Sequence, residues 1–257
     1  MAASRPRNGS GSLALGAWLA ARGRLAGAGI ALCVAGALGS IIVAVASGGG
    51  DVARLPLAES SVITWSGGVL LAFASAVHAV RRDRDQGVLA LLRARGASVS
   101  QYVRGRVGGL VLVLAAALGG ATLVGGLAAT AVAHPVLGTV RASLAAVAYA
   151  VAFAATVGPV AMATLGARNR AGGLFALLSV LVVPELLSPW TAGVLPRGWH
   201  ELTSIPAALA AVRAGVAAPS AMGLPMARAL AGLVAVIALS LVVVAARVRH
   251  ADAGRST

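Results

Sequence analysis

The chain has 257 residues, of which 59% are hydrophobic and only 11% charged. Water-soluble domains carry about 25% charged residues, so this much apolar surface requires lipid as its solvent. All 21 basic residues are arginine; without lysine there is no standard P-loop, whose lysine reaches the β/γ-phosphates, and the formal charge of +14 has no aromatic-interleaved soluble face that would suit nucleic acid.

The elements follow in chain order. Residues 12–24 hold a short apolar run in which Leu13, Trp18 and Leu19 share one helical face, closed by Arg22 and Arg24. This predicts an interfacial helix on the inner leaflet rather than a removable leader. Six segments meet the length of about 20 apolar residues that a bilayer demands. They are 25–46, 60–80, 107–133, 142–165, 171–187 and 229–246, the fifth interrupted by Pro184 and Glu185. In lipid a helix satisfies its own backbone groups, so each is read as a transmembrane helix. Gly36 and Ser40, Gly119-Gly120 and Gly125-Gly126 offer small surfaces for close helix approach. Cys33 is the sole cysteine, a small core residue that excludes an intrachain disulfide.

Residues 188–228 carry Pro189, Pro196, Pro206, Pro219 and Pro225 together with Trp190 and Trp199. That stretch is too broken to span and too apolar to float free, which predicts re-entrant helices at the outer face. With the N-terminus inside, sixteen arginines fall on inner segments and five (Arg54, Arg141, Arg197, Arg213 and Arg228) on outer ones. The bias predicts cytoplasmic termini. The expected fold is an all-α integral membrane protein, a single domain over 1–257.

The stretch 81–106 is the only long charged one. Val88, Leu91 and Leu92 share a face at i, i+3, i+4 spacing. Asp83 and Asp85 open this helix and Arg93 and Arg95 close it, each suited to the helix dipole. Gly96 fits the position after a helix end, and Ser98 and Gln101 have capping-box spacing. The loop therefore reads as a short amphipathic helix, a glycine stop, and a second helix through Tyr102 and Arg106 into the third span. The plainer alternative is a solvated, positive cytoplasmic loop with an incidental helix.

The run Asp85-Gln-Gly-Val-Leu-Ala-Leu-Leu92 resembles the acidic-x-Gly-Thr/Val-Leu-x-x-Leu-Leu pattern after the second span of ABC-2 type transporter permeases. Arg106 matches the basic residue that opens the third span there, and the layout of helices is similar. The resemblance implies a cytoplasmic coupling helix docked on a separate ABC ATPase subunit. It assigns ATPase coupling to Asp83, Asp85, Gln86, Gly87, Leu91, Leu92, Arg93, Arg95 and Gly96. It further implies a homodimer or heterodimer of permeases in the bacterial cytoplasmic membrane. ATP and Mg²⁺ would be held by the partner, with no cofactor in this chain. Where that family often has proline after the Leu-Leu helix, this chain has Gly96-Ala97. Leu91-Leu-Arg-Ala-Arg-Gly-Ala-Ser98 resembles instead the loop of FtsX-like, lipoprotein-release type permeases. Those carry a large extracytoplasmic domain after the first span, for which residues 47–59 leave no room.

Ionisable groups within a membrane are functional candidates. Glu185, Arg141 and Glu59, near outer span ends, are candidates for the translocation route; interfacial anchoring or mutual ion pairing is the structural alternative. His78, His134, His200 and His250 are scattered, without the spacing of a zinc site, and no serine stands in a nucleophile motif. No catalytic or metal-binding residues are expected, and the chain is not read as an enzyme. Two other classes remain: an ion-coupled secondary transporter, which needs ionisable groups near the midplane, and a non-transporting membrane scaffold.

Overall fold

A computed structural model describes residues 9–47, 52–77, 79–94, 96, 98–133, 136–166, 170–191, 194, 196, 199–218 and 223–253. Among these the chain is helical throughout, without strands. The helices are α1 (Gly9–Ala21), α2 (Arg24–Ala46), α3 (Leu55–Ile63), α4 (Val69–Ala76), α5 (Ala79–Asp85), α6 (Val88–Ala94), α7 (Val99–Val132), α8 (Val136–Leu165), α9 (Arg170–Thr191), α10 (Trp199–Thr203), α11 (Ile205–Ala217) and α12 (Leu224–Ala253). A 3₁₀ turn (Val52–Arg54) precedes α3, and a π-helical turn (Thr64–Gly68) joins α3 to α4.

Six stretches are long and apolar enough to cross a bilayer: Arg24–Ala46, Leu55–Asp85, Val99–Val132, Val136–Leu165, Ala171–Trp190 and Leu224–His250. The expected six spans are therefore present as helices of suitable length and composition. The most apolar 18-residue window of α8 is 67% buried and that of α9 only 17%, so α8 is the axis of the bundle and α9 lies at its edge. Leu110, Leu114 and Leu118 of α7 meet Phe153, Val157 and Met162 of α8 in the core. Small residues set how closely the other helices approach. A Cβ on Gly16 of α1 would lie 1.9 Å from the Gly105 carbonyl oxygen of α7, and one on Gly109 would lie 2.2 Å from Gly16. The two helices thus touch backbone to backbone, a contact open only to glycine. Ser75 of α4 also donates to the Ala20 carbonyl at 2.7 Å. The N-terminal helix is hence clamped along α7, with Trp18 left exposed and Arg22 stacked on its ring at 4.6 Å.

Several boundaries differ from expectation. The second span begins at Leu55, with Pro56 in its first turn, so Glu59 belongs to it. Proline suits that position because the first-turn N–H has no intrahelical partner to lose. Midway along this span the Val69 N–H reaches the Thr64 carbonyl, the extra-residue step of a π turn. In the fifth span the helix continues through Pro184 and Pro189 to Thr191. In lipid, unravelling the helix would leave further backbone groups without partners, so one lost bond at each proline is the lesser cost. Residues 188–228 supply the end of α9, then α10 and α11. The Ser204 hydroxyl caps α11 by accepting from the Ala207 N–H at 3.2 Å. Ile205, Ala208, Leu209 and Val212 bury one face of α11, which packs on α8 and α12 at the end of the bundle opposite α6.

Candidate functional site

The charged stretch is three helices, not two. Gly87 (φ 71°) and Gly96 (φ 72°) both lie in the left-handed region, where a Cβ is strained, and they set α6 off from its neighbours. Because Gly87 breaks the chain, Asp83 and Asp85 belong to α5, the extension of the second span, rather than to the first turn of α6. Gly96 stands where a helix stop was expected. Beyond it Ser98 and Gln101 form the expected capping box: the Gln101 N–H donates to Ser98 Oγ at 3.3 Å and the Ser98 N–H to Gln101 Oε1 at 2.9 Å. The helix that starts there runs without a break into the third span.

Asp83 anchors this region. Its carboxylate lies 2.9 Å from Arg106 Nε, and Tyr102 donates its hydroxyl to the same oxygen at 2.7 Å. Arg106 Nη2 adds a longer bond to the other oxygen at 3.5 Å. The side chains of Arg106 and Asp83 are only 3% and 1% exposed. Tyr102 and Arg106 sit one turn apart on α7, so a single carboxylate on α5 engages both. A charge pair this dry is strongly destabilising to break, because one partner's removal strands the other. Asp85 is the opposite case. It pairs with Arg81 at 3.5 Å and Arg84 at 3.6 Å, with all three side chains about half exposed.

Asp83 is thus an internal strut and offers nothing to a docking partner. The exposed surface at this end comes from Asp85, Gln86 and Leu91, with Arg81 and Arg82 beside an open cleft at the base of α6. On the apolar face of α6, Leu91 is 55% exposed and Val88 half-buried. Arg95, and the side chains of Leu92 and Arg93, lie outside the described residues.

At the other end the three candidate route residues are separate. Among the described residues none of them pairs with another. Glu185 of α9 accepts from the Ser204 hydroxyl and lies 3.6 Å from His200 Nε2, tying α9 to α10 and to the cap of α11. Arg141 is exposed on α8. Glu59 is 7% exposed, and both carboxylate oxygens are buried without a hydrogen-bond partner. They press on α7 so closely that a Cβ on Gly125 would come within 2.3 Å of either.

Two functional candidates had little sequence signal. Tyr102 was read only as part of a helix, although its spacing of four from Arg106 places both on one face. Arg213 was counted only for its charge. It reaches from α11 to the second span, donating from Nη1 to the Leu57 carbonyl at 2.9 Å and to the Ser61 hydroxyl. No protein-family model, curated protein or solved structure matches this chain.

Proposed function

We propose that this chain is the membrane-spanning subunit of an ATP-driven exporter, moved by a separate ATPase that docks on α6. The observation that carries the reading is the form of the charged end. A short helix with Leu91 exposed stands between two left-handed glycines, and its base is braced by Asp83 to the start of α7. A push on α6 would be delivered through α5 and the Asp83–Arg106 pair to the third span. Free energy would come from the ATPase binding ATP more tightly in its closed state than in its open one. In this reading two permease copies pair, the termini and α6 face the cytoplasm, and α10 and α11 face outward. The resemblance of residues 85–92 to ABC-2 coupling loops supports it; the short link between the first two spans argues against the FtsX-like variant.

The test is affinity purification in mild detergent. A P-loop ATPase should accompany the wild-type chain, and Leu91→Asp or charge reversal at Arg93 and Arg95 should release it without preventing membrane insertion. Undiminished recovery of the ATPase with those variants, or none with the wild type, removes the reading.

A second reading, an ion-coupled transporter, draws on Glu59. The buried, unpartnered carboxylate lies inside the second span, where a coupling ion or proton would be carried. Uptake or efflux driven by an ion gradient alone, and lost in Glu59→Gln, would favour it over ATP drive.

A further inference from the structure

Arg213 of α11 lies in an unusual frame for an arginine. Its guanidinium stacks on the Tyr149 ring at 4.9 Å. Tyr149 is buried and its hydroxyl accepts from Trp65 Nε1 at 2.8 Å, while Trp65 sits edge-on to Phe153 at 5.4 Å. The ring under the arginine is therefore fixed by a side chain of the π turn. One edge of the guanidinium is also fixed: Nη1 donates to the Leu57 carbonyl and to the Ser61 hydroxyl, one helical turn apart on α3.

These contacts use one nitrogen. Among the described residues no carboxylate lies within ion-pair distance of Arg213, and Nε and Nη2 have neither a protein partner nor a place among the buried unsatisfied atoms. The free edge is consequently open to its surroundings. It is the edge whose two parallel N–H groups match the two oxygens of a carboxylate or phosphate. The nearest acid in sequence is no substitute. Leu57 and Ser61 share one face of α3, whereas Glu59 turns to the opposite face and packs on Gly125 of α7. Helix α3 thus separates the Arg213 guanidinium from the buried carboxyl group of Glu59. Within ion-pair distance the cation has no counter-charge among the described residues, and a fixed ring and a fixed Nη1 keep the open edge in one orientation.

We propose that Arg213, framed by Tyr149, Ser61 and the Leu57 carbonyl, is a binding site for an oxyanion at the α11 end of the bundle. The oxyanion is the phosphate of a lipid headgroup that carries a net negative charge, without a cationic group of its own to pair it, or free phosphate. The site needs no ATPase and no transport cycle, so it stands or falls apart from the exporter reading.

The test uses the full chain in neutral detergent, titrated with phosphatidylglycerol, phosphatidylcholine or inorganic phosphate and read by native mass spectrometry. Wild type should retain phosphatidylglycerol over phosphatidylcholine. Arg213→Gln should weaken that retention by roughly tenfold or more, the worth of a charge-assisted contact. Arg213→Lys, which keeps the charge and loses the fork, should fall between. Retention of phosphatidylglycerol alone identifies a lipid site; retention of inorganic phosphate identifies a site for the free anion. Equal retention of the two lipids by wild type, with no phosphate bound, overturns the proposal, as does unchanged preference in Arg213→Gln. Should Arg213→Gln fail to fold, the wild-type ranking and the Lys variant still decide: a Lys variant that matches wild type removes the bidentate edge.

Discussion

At the scale of single residues, burial decides what a charge is worth. Asp83 and Asp85 are two residues apart and look alike in sequence. The Asp83 pair is almost fully buried, and the Asp85 pairs are about half exposed. Asp83→Ala is expected to cost about 3–5 kcal/mol by stranding Arg106. Asp85→Ala should stay within about 1 kcal/mol. Unfolding midpoints of the two variants in detergent would check this, and equal shifts would refute the strut. Glu59 points the other way. Its carboxylate is buried without partners, so Glu59→Met, which keeps the volume and removes the polar group, should stabilise the fold by about 1–3 kcal/mol. A higher midpoint combined with impaired transport would mark a residue kept for function at the expense of stability. Sequence periodicity placed both aspartates at a helix start because it registers local spacing. Nothing local in residues 81–85 indicates that Tyr102 and Arg106 close over Asp83.

At the scale of elements, local signals were the most readable. The capping box at Ser98 and Gln101 and the glycine stop at Gly96 are both present, since each is built from residues only a few positions apart. The second break, at Gly87, lies inside the motif of residues 85–92, where the sequence carries no separate sign of a hinge. Gly96→Ala touches nothing within 4 Å; its cost is the left-handed backbone, about 1 kcal/mol. Because the strain falls on the link between α6 and α7, the variant should lower ATPase co-purification more than it lowers the unfolding midpoint. The attachment of α1 is steric. Gly16→Val should detach α1 from α7 and lower the unfolding midpoint, whereas Gly39→Ala, with no atom within 4 Å of the added Cβ, should be silent. An interfacial helix free of α7 would tolerate both equally. The sequence marks 12–24 as amphipathic, but Gly16 means nothing until Gly105 and Gly109 lie opposite it.

At the scale of the whole molecule, six helices long enough to span bring α1, α6 and the last turns of α12 to one end, and α10 and α11 to the other. The arginine bias predicts that the end with α6 is cytoplasmic, which is directly testable. Cys33 is 1% exposed, so the wild-type chain should react slowly with a membrane-impermeant maleimide. Leu91→Cys should be labelled only in inverted vesicles, and Val194→Cys, at an 84% exposed position, only from outside whole cells. The reverse pattern would invert the topology and, with it, the side from which an ATPase could dock.

The sequence by itself determined that the chain has six apolar segments long enough to cross a bilayer, that a glycine stop follows the short charged-loop helix, and that a capping box opens the helix of the third span. These depend on composition, run length and spacings of a few residues, where lipid leaves the backbone no alternative to hydrogen-bonding itself. Only the tertiary structure decided that Asp83 is buried and Leu91 exposed, that Gly16 is a contact and Gly39 is not, and that Glu59 and Arg213 face away from each other across α3. Those distinctions arise where distant segments meet, and the energy of a charge or a glycine depends on the neighbour that the fold brings to it.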